Sequence, residues 1–274
     1  SKGRLWIGGY EGLFIHDGTK MVRLSKIQHL GIPNSSVFEI YRDKEGSMWV
    51  GTWAGGVALA HPSDNNFKTF RHHELLNSVS NNMISSFVQI NEQELLIGTE
   101  LGGLNKFNLE NEKFSEIKIN DSIEVENIKS MCKDKYGGIW IGTFRQGLWY
   151  RPKEKSNFQQ LKSGYIDKQI LTTASVYGLC PTDSGVWIGT FGNGVMYYNF
   201  NSKTISNPFH SLISDNNVNT LLTNCVYADS KSNLWIGTNN GILRINLPSG
   251  NIENFRQHYI TEQGPVLANS FWED

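Results

Sequence analysis

Cysteine is scarce in this 274-residue chain: Cys132, Cys180 and Cys225 are too few and too oddly numbered for a disulfide scaffold. Each falls shortly before a Trp-Ile-Gly-Thr segment and reads as a small buried apolar residue. Charge of one sign is also lacking. Lys plus Arg is 25, Asp plus Glu is 26 and the net charge is -1, with no basic run. A surface that binds nucleic acid must neutralise phosphates with clustered positive charge, so nucleic acid is excluded as a partner. No apolar run is long enough to span a bilayer, so direct membrane insertion is not expected. The chain has neither a secretory leader nor an initiator Met and reads as a mature or excised piece. No nucleophile elbow, His-Glu-x-x-His pair or phosphate loop occurs. No Cys/His spacing suits zinc, and the adjacent His72 and His73 do not converge easily on one ion. No cofactor or metal is therefore expected. Helical periodicity is missing too, while turn residues punctuate the chain every few positions, which points to an all-β fold.

What is present is a repeated pentapeptide. It reads Leu-Trp-Ile-Gly-Gly at 5–9, Met-Trp-Val-Gly-Thr at 48–52 and Leu-Leu-Ile-Gly-Thr at 95–99. It recurs as Ile-Trp-Ile-Gly-Thr at 139–143, Val-Trp-Ile-Gly-Thr at 186–190 and Leu-Trp-Ile-Gly-Thr at 234–238. Measured at Trp6, Trp49, Leu96, Trp140, Trp187 and Trp235, the steps are 43, 47, 44, 47 and 48 residues. A period in that range marks a four-stranded propeller blade. In residues 37–70, strands are expected at Val37–Asp43, Met48–Thr52, Gly56–Ala60 and Phe67–Phe70, labelled a to d, with tight turns between them. The apolar run in strand b is continuous rather than alternating, so both of its faces are dry, as in a blade stacked between two others. The Gly after the aliphatic residue lets a neighbouring backbone approach. The repeated tryptophans are core.

The ends of the chain read as one broken repeat. Asn269-Ser270-Phe271-Trp272-Glu273-Asp274 resembles a strand a, and Ser1-Lys2-Gly3-Arg4-Leu5-Trp6 continues it. The joined string F-W-E-D-S-K-G-R-L-W-I-G parallels V-Y-A-D-S-K-S-N-L-W-I-G at 226–237, with a virtual step of 45 residues. The expectation is a single β-propeller domain over 1–274, of six four-stranded blades, in which the C-terminal strand completes the first blade and removes both sheet edges. The alternative is a fragment of a seven-bladed propeller or an open arc.

Asp43–Val57, Asp134–Leu148 and Asp229–Ile242 follow the pattern D-x-x-G-x-L-W-I-G-T-x-x-G-G-L closely. Polar connectors such as Leu76-Asn77-Ser78-Val79-Ser80-Asn81-Asn82 accompany it. In this the chain resembles the two-component regulator propeller repeat. Leu96 in place of Trp, Gly9 in place of Thr and Pro181 in place of Asp depart from the pattern. The resemblance implies a periplasmic sensor region of a hybrid two-component histidine kinase, acting on oligosaccharides in polysaccharide utilisation. It further implies contact with other domains of the same sensor chain, and a homodimer in the full-length protein. No kinase motif, phosphoacceptor His or receiver Asp is carried over.

Strand direction alternates within a blade, so b–c turns and d–a loops share one side, and the d–a loops are long and variable, as functional loops are. The b–c turns open with Tyr10, Trp53, Glu100, Phe144, Phe191 and Asn239. Aromatic faces there, beside Glu100, Arg145, Asn193 and Asn239, suit a pyranose: the apolar face of a sugar stacks while its hydroxyls take hydrogen bonds. The ligand-binding candidates are Tyr10, Trp53, Glu100, Phe144, Arg145, Phe191 and Asn239. The alternative is that these aromatics plug a channel mouth or pack against adjoining blades. The recurring Asp of D-x-x-G (Asp43, Asp134, Asp229, Asp274) reads as a cap of its own turn rather than a catalytic or calcium-binding group. A propeller enzyme acting on a sugar or lactone is the second hypothesis. It needs paired carboxylates, and Glu74, Glu100, Asp121, Glu124 and Asp167 form no local constellation. An interaction scaffold that binds no small ligand is the third.

Overall fold

The computed structural model describes residues 5–9, 12–16, 21–23, 36–61, 67–162, 168–209, 222–239, 241–254, 260–261, 264–265 and 269–271. The chain divides into two compact units, Ser1–Lys129 and Ser130–Phe271.

In the first unit, β1 (Leu5–Gly9), β2 (Gly12–His16) and β3 (Met21–Arg23) form a three-stranded antiparallel sheet. Two four-stranded meanders follow. The second sheet is β4 (Val37–Arg42), β5 (Met48–Thr52), β6 (Val57–Ala60) and β7 (Lys68–Phe70). The third is β8 (Ile84–Gln89), β9 (Glu94–Thr99), β10 (Leu104–Asn108) and β11 (Phe114–Ile117).

The second unit carries three more meanders. The fourth sheet is β12 (Ile128–Lys133), β13 (Ile139–Thr143), β14 (Leu148–Arg151) and β15 (Gln159–Gln160). A six-residue helix, α1 (Lys168–Thr173), leads into the fifth sheet. That sheet is β16 (Ser175–Pro181), β17 (Gly185–Phe191), β18 (Gly194–Asn199) and β19 (Thr204–Ser206). The sixth is β20 (Thr223–Ala228), β21 (Asn233–Thr238), β22 (Gly241–Asn246) and β23 (Ile252–Asn254), and a short ribbon of β24 (Ile260–Thr261) and β25 (Gly264–Pro265) follows it.

Each four-stranded sheet is an antiparallel meander in chain order, the blade of a β-propeller. Among the described residues, the expected six four-stranded blades are corrected to five, because the first sheet has three strands there. Asn269, Ser270 and Phe271, the described part of the expected closing strand, lie outside any strand. The Phe271 ring instead sits 6.3 Å from the Trp235 ring of the sixth sheet. The likeness of the joined ends encodes a turn and two apolar positions. It does not encode which distant edge the segment pairs with. Five complete blades beside a three-stranded sheet remain compatible with a fragment of a larger propeller. The helix α1 is a second departure from the sequence reading; six residues are too few to set up a helical period.

The repeat is explained residue by residue. The Thr that ends strand b closes the b–c turn. Thr52, Thr99, Thr143, Thr190 and Thr238 donate their hydroxyls to the carbonyls of Gly56, Gly103, Gly147, Gly194 and Gly241 at 2.7–3.0 Å. Those glycines have φ of 66–120°, a region that favours Gly. Crowding adds to this: a Cβ on Gly56 would lie 2.1 Å from the Phe70 carbonyl oxygen. The Gly inside strand b has another task. A Cβ on Gly51, Gly98, Gly142 or Gly189 would lie 2.6–2.7 Å from a methyl of Ile84, Ile128, Val176 or Thr223. Each of those is a β-branched residue at or near the start of the following first strand, so blade stacks on blade at glycine.

Strand b is dry on both faces, as its composition requires. All of β13 is buried, and Trp49, Trp140 and Trp187 are at most 6% exposed. Trp49 packs with Ile84, Phe87 and Phe107, and Trp140 with Val176, Val186 and Ile188. The three cysteines are buried, free thiols on β12, β16 and β20.

The Asp of D-x-x-G caps its turn. Asp43 accepts the Ser47 N–H at 2.7 Å, and Asp134 accepts the Gly138 and Tyr136 N–H groups at 2.8 and 2.9 Å. Their second oxygens take the indole N–H of Trp49 and Trp140 at 2.8 Å, and Asp229 does the same for Trp235. In the third sheet, Ile90 and Leu96 replace both members of the pair. In the fifth, the turn is one residue shorter and Thr182, not Pro181, takes the cap, accepting the Gly185 N–H at 3.2 Å.

Candidate functional site

In four blades the end where strand b meets the b–c turn is built by a defect in strand a. Pairing of β4 with β5 skips a residue between Val37 and Glu39, and the same bulge recurs at Ser85, Tyr177 and Asn224. A bulge leaves one residue unpaired and re-aims its side chain. At three of the four the bulged residue meets the residue that follows the Thr of strand b. Phe38 stacks on Trp53, with centroids 5.0 Å apart and an interplanar angle of 30°. Tyr177 stacks on Phe191 at 5.1 Å and 27°. Asn224 Nδ2 donates to Asn239 Oδ1 at 2.8 Å.

The first unit thus presents Trp53, 42% exposed, on a fixed aromatic support. Glu100 pairs with Lys129 Nζ at 2.6 Å, with both side chains 13% exposed. Beside it lies an open groove of about 560 Å³, lined by Leu101–Leu104 and Glu116–Glu126. In the second unit, Phe144 is half-buried and the Arg145 guanidinium lies 4.9 Å from its ring centre. Arg145 has φ 59°, and its own N–H is held by Ser175 Oγ at 3.1 Å, so this turn is fixed at two points. Phe191 is the last residue of β17 rather than a turn residue, and Asn239 is exposed. Tyr10 lies outside the described residues.

The structure therefore places Trp53 and Glu100 at blade ends of the first unit, and Phe144, Arg145, Phe191 and Asn239 at those of the second. Sequence reasoning missed their supports, Phe38, Lys129, Tyr177 and Asn224. Lys129, Tyr177 and Asn224 each directly follow Ile128, Val176 or Thr223, the β-branched residue that packs on the preceding glycine, but the bulge that aims such a side chain shows only in the pairing register. The histidine pair serves its loop. His72 Nδ1 meets the Val79 carbonyl at 2.9 Å, and His73 Nδ1 accepts the Leu75 N–H at 3.1 Å. Among the described residues, no group of three or more His, Cys, Asp or Glu could hold a metal ion. Among them, too, no helix is long and apolar enough to cross a membrane.

One titratable group stands out. Glu39 follows the bulge and pairs with Gly51, on the face against which Ile84 and Phe87 pack. Burial pushes its carboxyl up to about 8.

Repeated four-stranded meanders, stacked at glycine and joined by capped turns, define a chain of the β-propeller class. The family model of the two-component regulator propeller matches residues 31–54, 122–145 and 212–240. Histidine kinase P4 of Formosa agariphila is 30% identical over 255 residues, covering 85% of this chain and 17% of that protein. The chain thus spans under a fifth of this relative. The extracellular domain of a hybrid two component system of B. thetaiotaomicron superposes with a TM-score of 0.52 at 20% identity, over 96% of this chain and 41% of that one. PorZ, a surface component of the type-IX secretion system of Porphyromonas gingivalis, gives a TM-score of 0.65 at 14% identity, over 98% and 42%. At such identities the likeness is one of fold.

Proposed function

We propose that this chain is the non-catalytic sensor region of an extracytoplasmic, propeller-bearing hybrid two-component histidine kinase, and that it recognises oligosaccharides. The family of its repeats and the histidine kinase among its relatives support the sensor role. The observation that carries the ligand class is the pair of supported aromatics, Trp53 on Phe38 and Phe191 on Tyr177. A ring held by a second ring loses little freedom when a sugar stacks on it, and such preorganisation favours binding. Arg145 and Asn239, at other b–c turns, offer donors and acceptors for hydroxyls. The ligand would reach the kinase by favouring one arrangement of the parent protein over another, which requires unequal affinity for the two. Isothermal calorimetry of the folded chain against a panel of plant and host oligosaccharides tests the reading. Saturable binding to one glycan class is expected, and no heat with any of them, for this piece or the whole extracytoplasmic region, ends it.

A further inference from the structure

Two b–c turns stand side by side in the first unit, which ends at Lys129. The turn that carries Trp53 is tied to the lead-in of the next blade, where Gly56 N–H donates to the Asn82 carbonyl at 3.0 Å. One residue on, Glu100 N–H donates to the Met83 carbonyl at 2.9 Å. Both turns are thus held on the same short stretch of backbone, 82–83. Lys129, from the blade after, reaches back to Glu100.

Ser85 sets this place apart. In the second and fifth sheets the bulged residue, Phe38 or Tyr177, covers the residue after the Thr with a ring. Ser85 holds the bulged position of the third sheet and is too short to cover Glu100, so a lysine meets Glu100 from the next blade instead. The Ser85 hydroxyl is buried and has no hydrogen-bond partner among the described residues. A buried polar group in that state is met by a water or by a ligand.

The pair has the form a sugar diol needs. Lys129 Nζ and a Glu100 carboxylate oxygen lie 2.6 Å apart, and at 13% exposure neither side chain is sealed off. Two adjacent sugar hydroxyls present a donor and an acceptor at a similar spacing. One hydroxyl donates to the carboxylate while its neighbour accepts from the ammonium, and the charges strengthen both bonds. Those charges cancel each other, so the pair does not call for a charged ligand. The groove of about 560 Å³ beside Glu100 opposes an anionic one. Glu116, Asp121, Glu124 and Glu126 line it, with Lys118 as the one basic residue among its described lining. A glycan carboxylate brought along this groove meets like charge, and repulsion of that kind is how a site rejects a competitor.

We propose, on the reading that this chain recognises oligosaccharides, that its first unit selects uncharged ones. A vicinal diol of the glycan binds the Glu100–Lys129 pair beside Trp53, and the acidic groove turns away glycans that carry carboxylates. Lys129 is thereby a binding residue in its own right, and the charge of the groove sets specificity.

Calorimetry of the 274-residue chain tests this with matched probes: hexasaccharides of glucose, mannose and galactose, each beside its uronic-acid counterpart. An uncharged member is expected to bind saturably, and its uronate not at all. Glu100→Gln and Lys129→Gln should each weaken that binding about tenfold or more, the loss of a charged hydrogen bond, with the far-ultraviolet circular dichroism of the parent retained. Neutralising the groove by Glu116→Gln, Asp121→Asn and Glu126→Gln together should narrow the gap between the sugar and its uronate, as should high salt. A uronate that binds as tightly as its uncharged counterpart, affinity unmoved in both pair variants, or a neutralised groove that leaves the gap unchanged overturns the selection and leaves glycan recognition standing. Heat from none of the probes, uncharged or acidic, counts against glycan recognition itself and takes the selection with it.

Discussion

At the scale of the residue, the frame depends on Asp and Trp spaced six apart. The carboxylate caps the turn with one oxygen and holds the indole with the other, which places Trp140 against the next blade. Removing a buried acceptor leaves its donors unpaired at about 1–3 kcal/mol. Asp134→Ala is thus expected to lower the urea midpoint clearly, while Asp134→Asn, which keeps one acceptor, should cost less. Trp140→Ala should cost about 3–5 kcal/mol, the usual loss for an emptied aromatic site. Glu39 gives a prediction in pH. Its folded-state value near 8 lies above the ordinary 4.5, so the folded chain holds a proton the unfolded chain has lost between those values. Stability falls as pH rises from 4.5 to 8 and is flat in this group beyond. Glu39→Gln should raise the melting temperature at pH 8.5, leave it nearly unchanged at pH 4.5, and flatten the profile between. The Asp of each turn announces itself by recurrence, whereas Glu39 occurs once and has no counterpart in the other repeats.

At the scale of the element, glycine sets how blades stack. A Cβ at position 142 would lie 2.6 Å from the Val176 carbonyl oxygen, a backbone atom with little room to move. Gly142→Ala is expected to destabilise by about 1–3 kcal/mol, the range of overpacked cores, and a thermal melt beside the parent chain measures it. The strands were legible because their signals are local and repeat: a turn, a continuous apolar run, then Gly-Thr. The expected strands of residues 37–70 agree with β4–β7 to within a residue at each boundary. The supports Phe38 and Tyr177 were not legible, because a bulge shows only in register. The described part of the expected closing strand, 269–271, forms no strand, for the opposite reason. Its residues resemble a strand a, but pairing at 269–271 would be set by contacts across the whole chain, and Phe271 lies by Trp235 instead. The ion pair of Glu100 was not legible, since Lys129 comes from the next strand a.

At the scale of the whole molecule, strand b and its caps form a frame, and the residues just beyond strand b are left to vary. Trp6, Trp49, Trp140, Trp187 and Trp235 occupy one repeat position, while Tyr10, Trp53, Glu100, Phe144, Phe191 and Asn239 occupy another with almost no constraint of type. A frame that tolerates such variation can host different recognition on the same blades, which is why fold likeness to a sensor and to a secretion component decides nothing about ligand. Two kinds of aromatic are thus distinct: those that hold the blades together and those offered to a ligand. Calorimetric titration of Trp53→Ala and Phe191→Ala, with the oligosaccharide that binds the parent chain, tests that separation most directly. Binding should weaken at least tenfold in one or both variants, with Trp53→Ala melting as the parent does. Unchanged affinity in both would contradict the account.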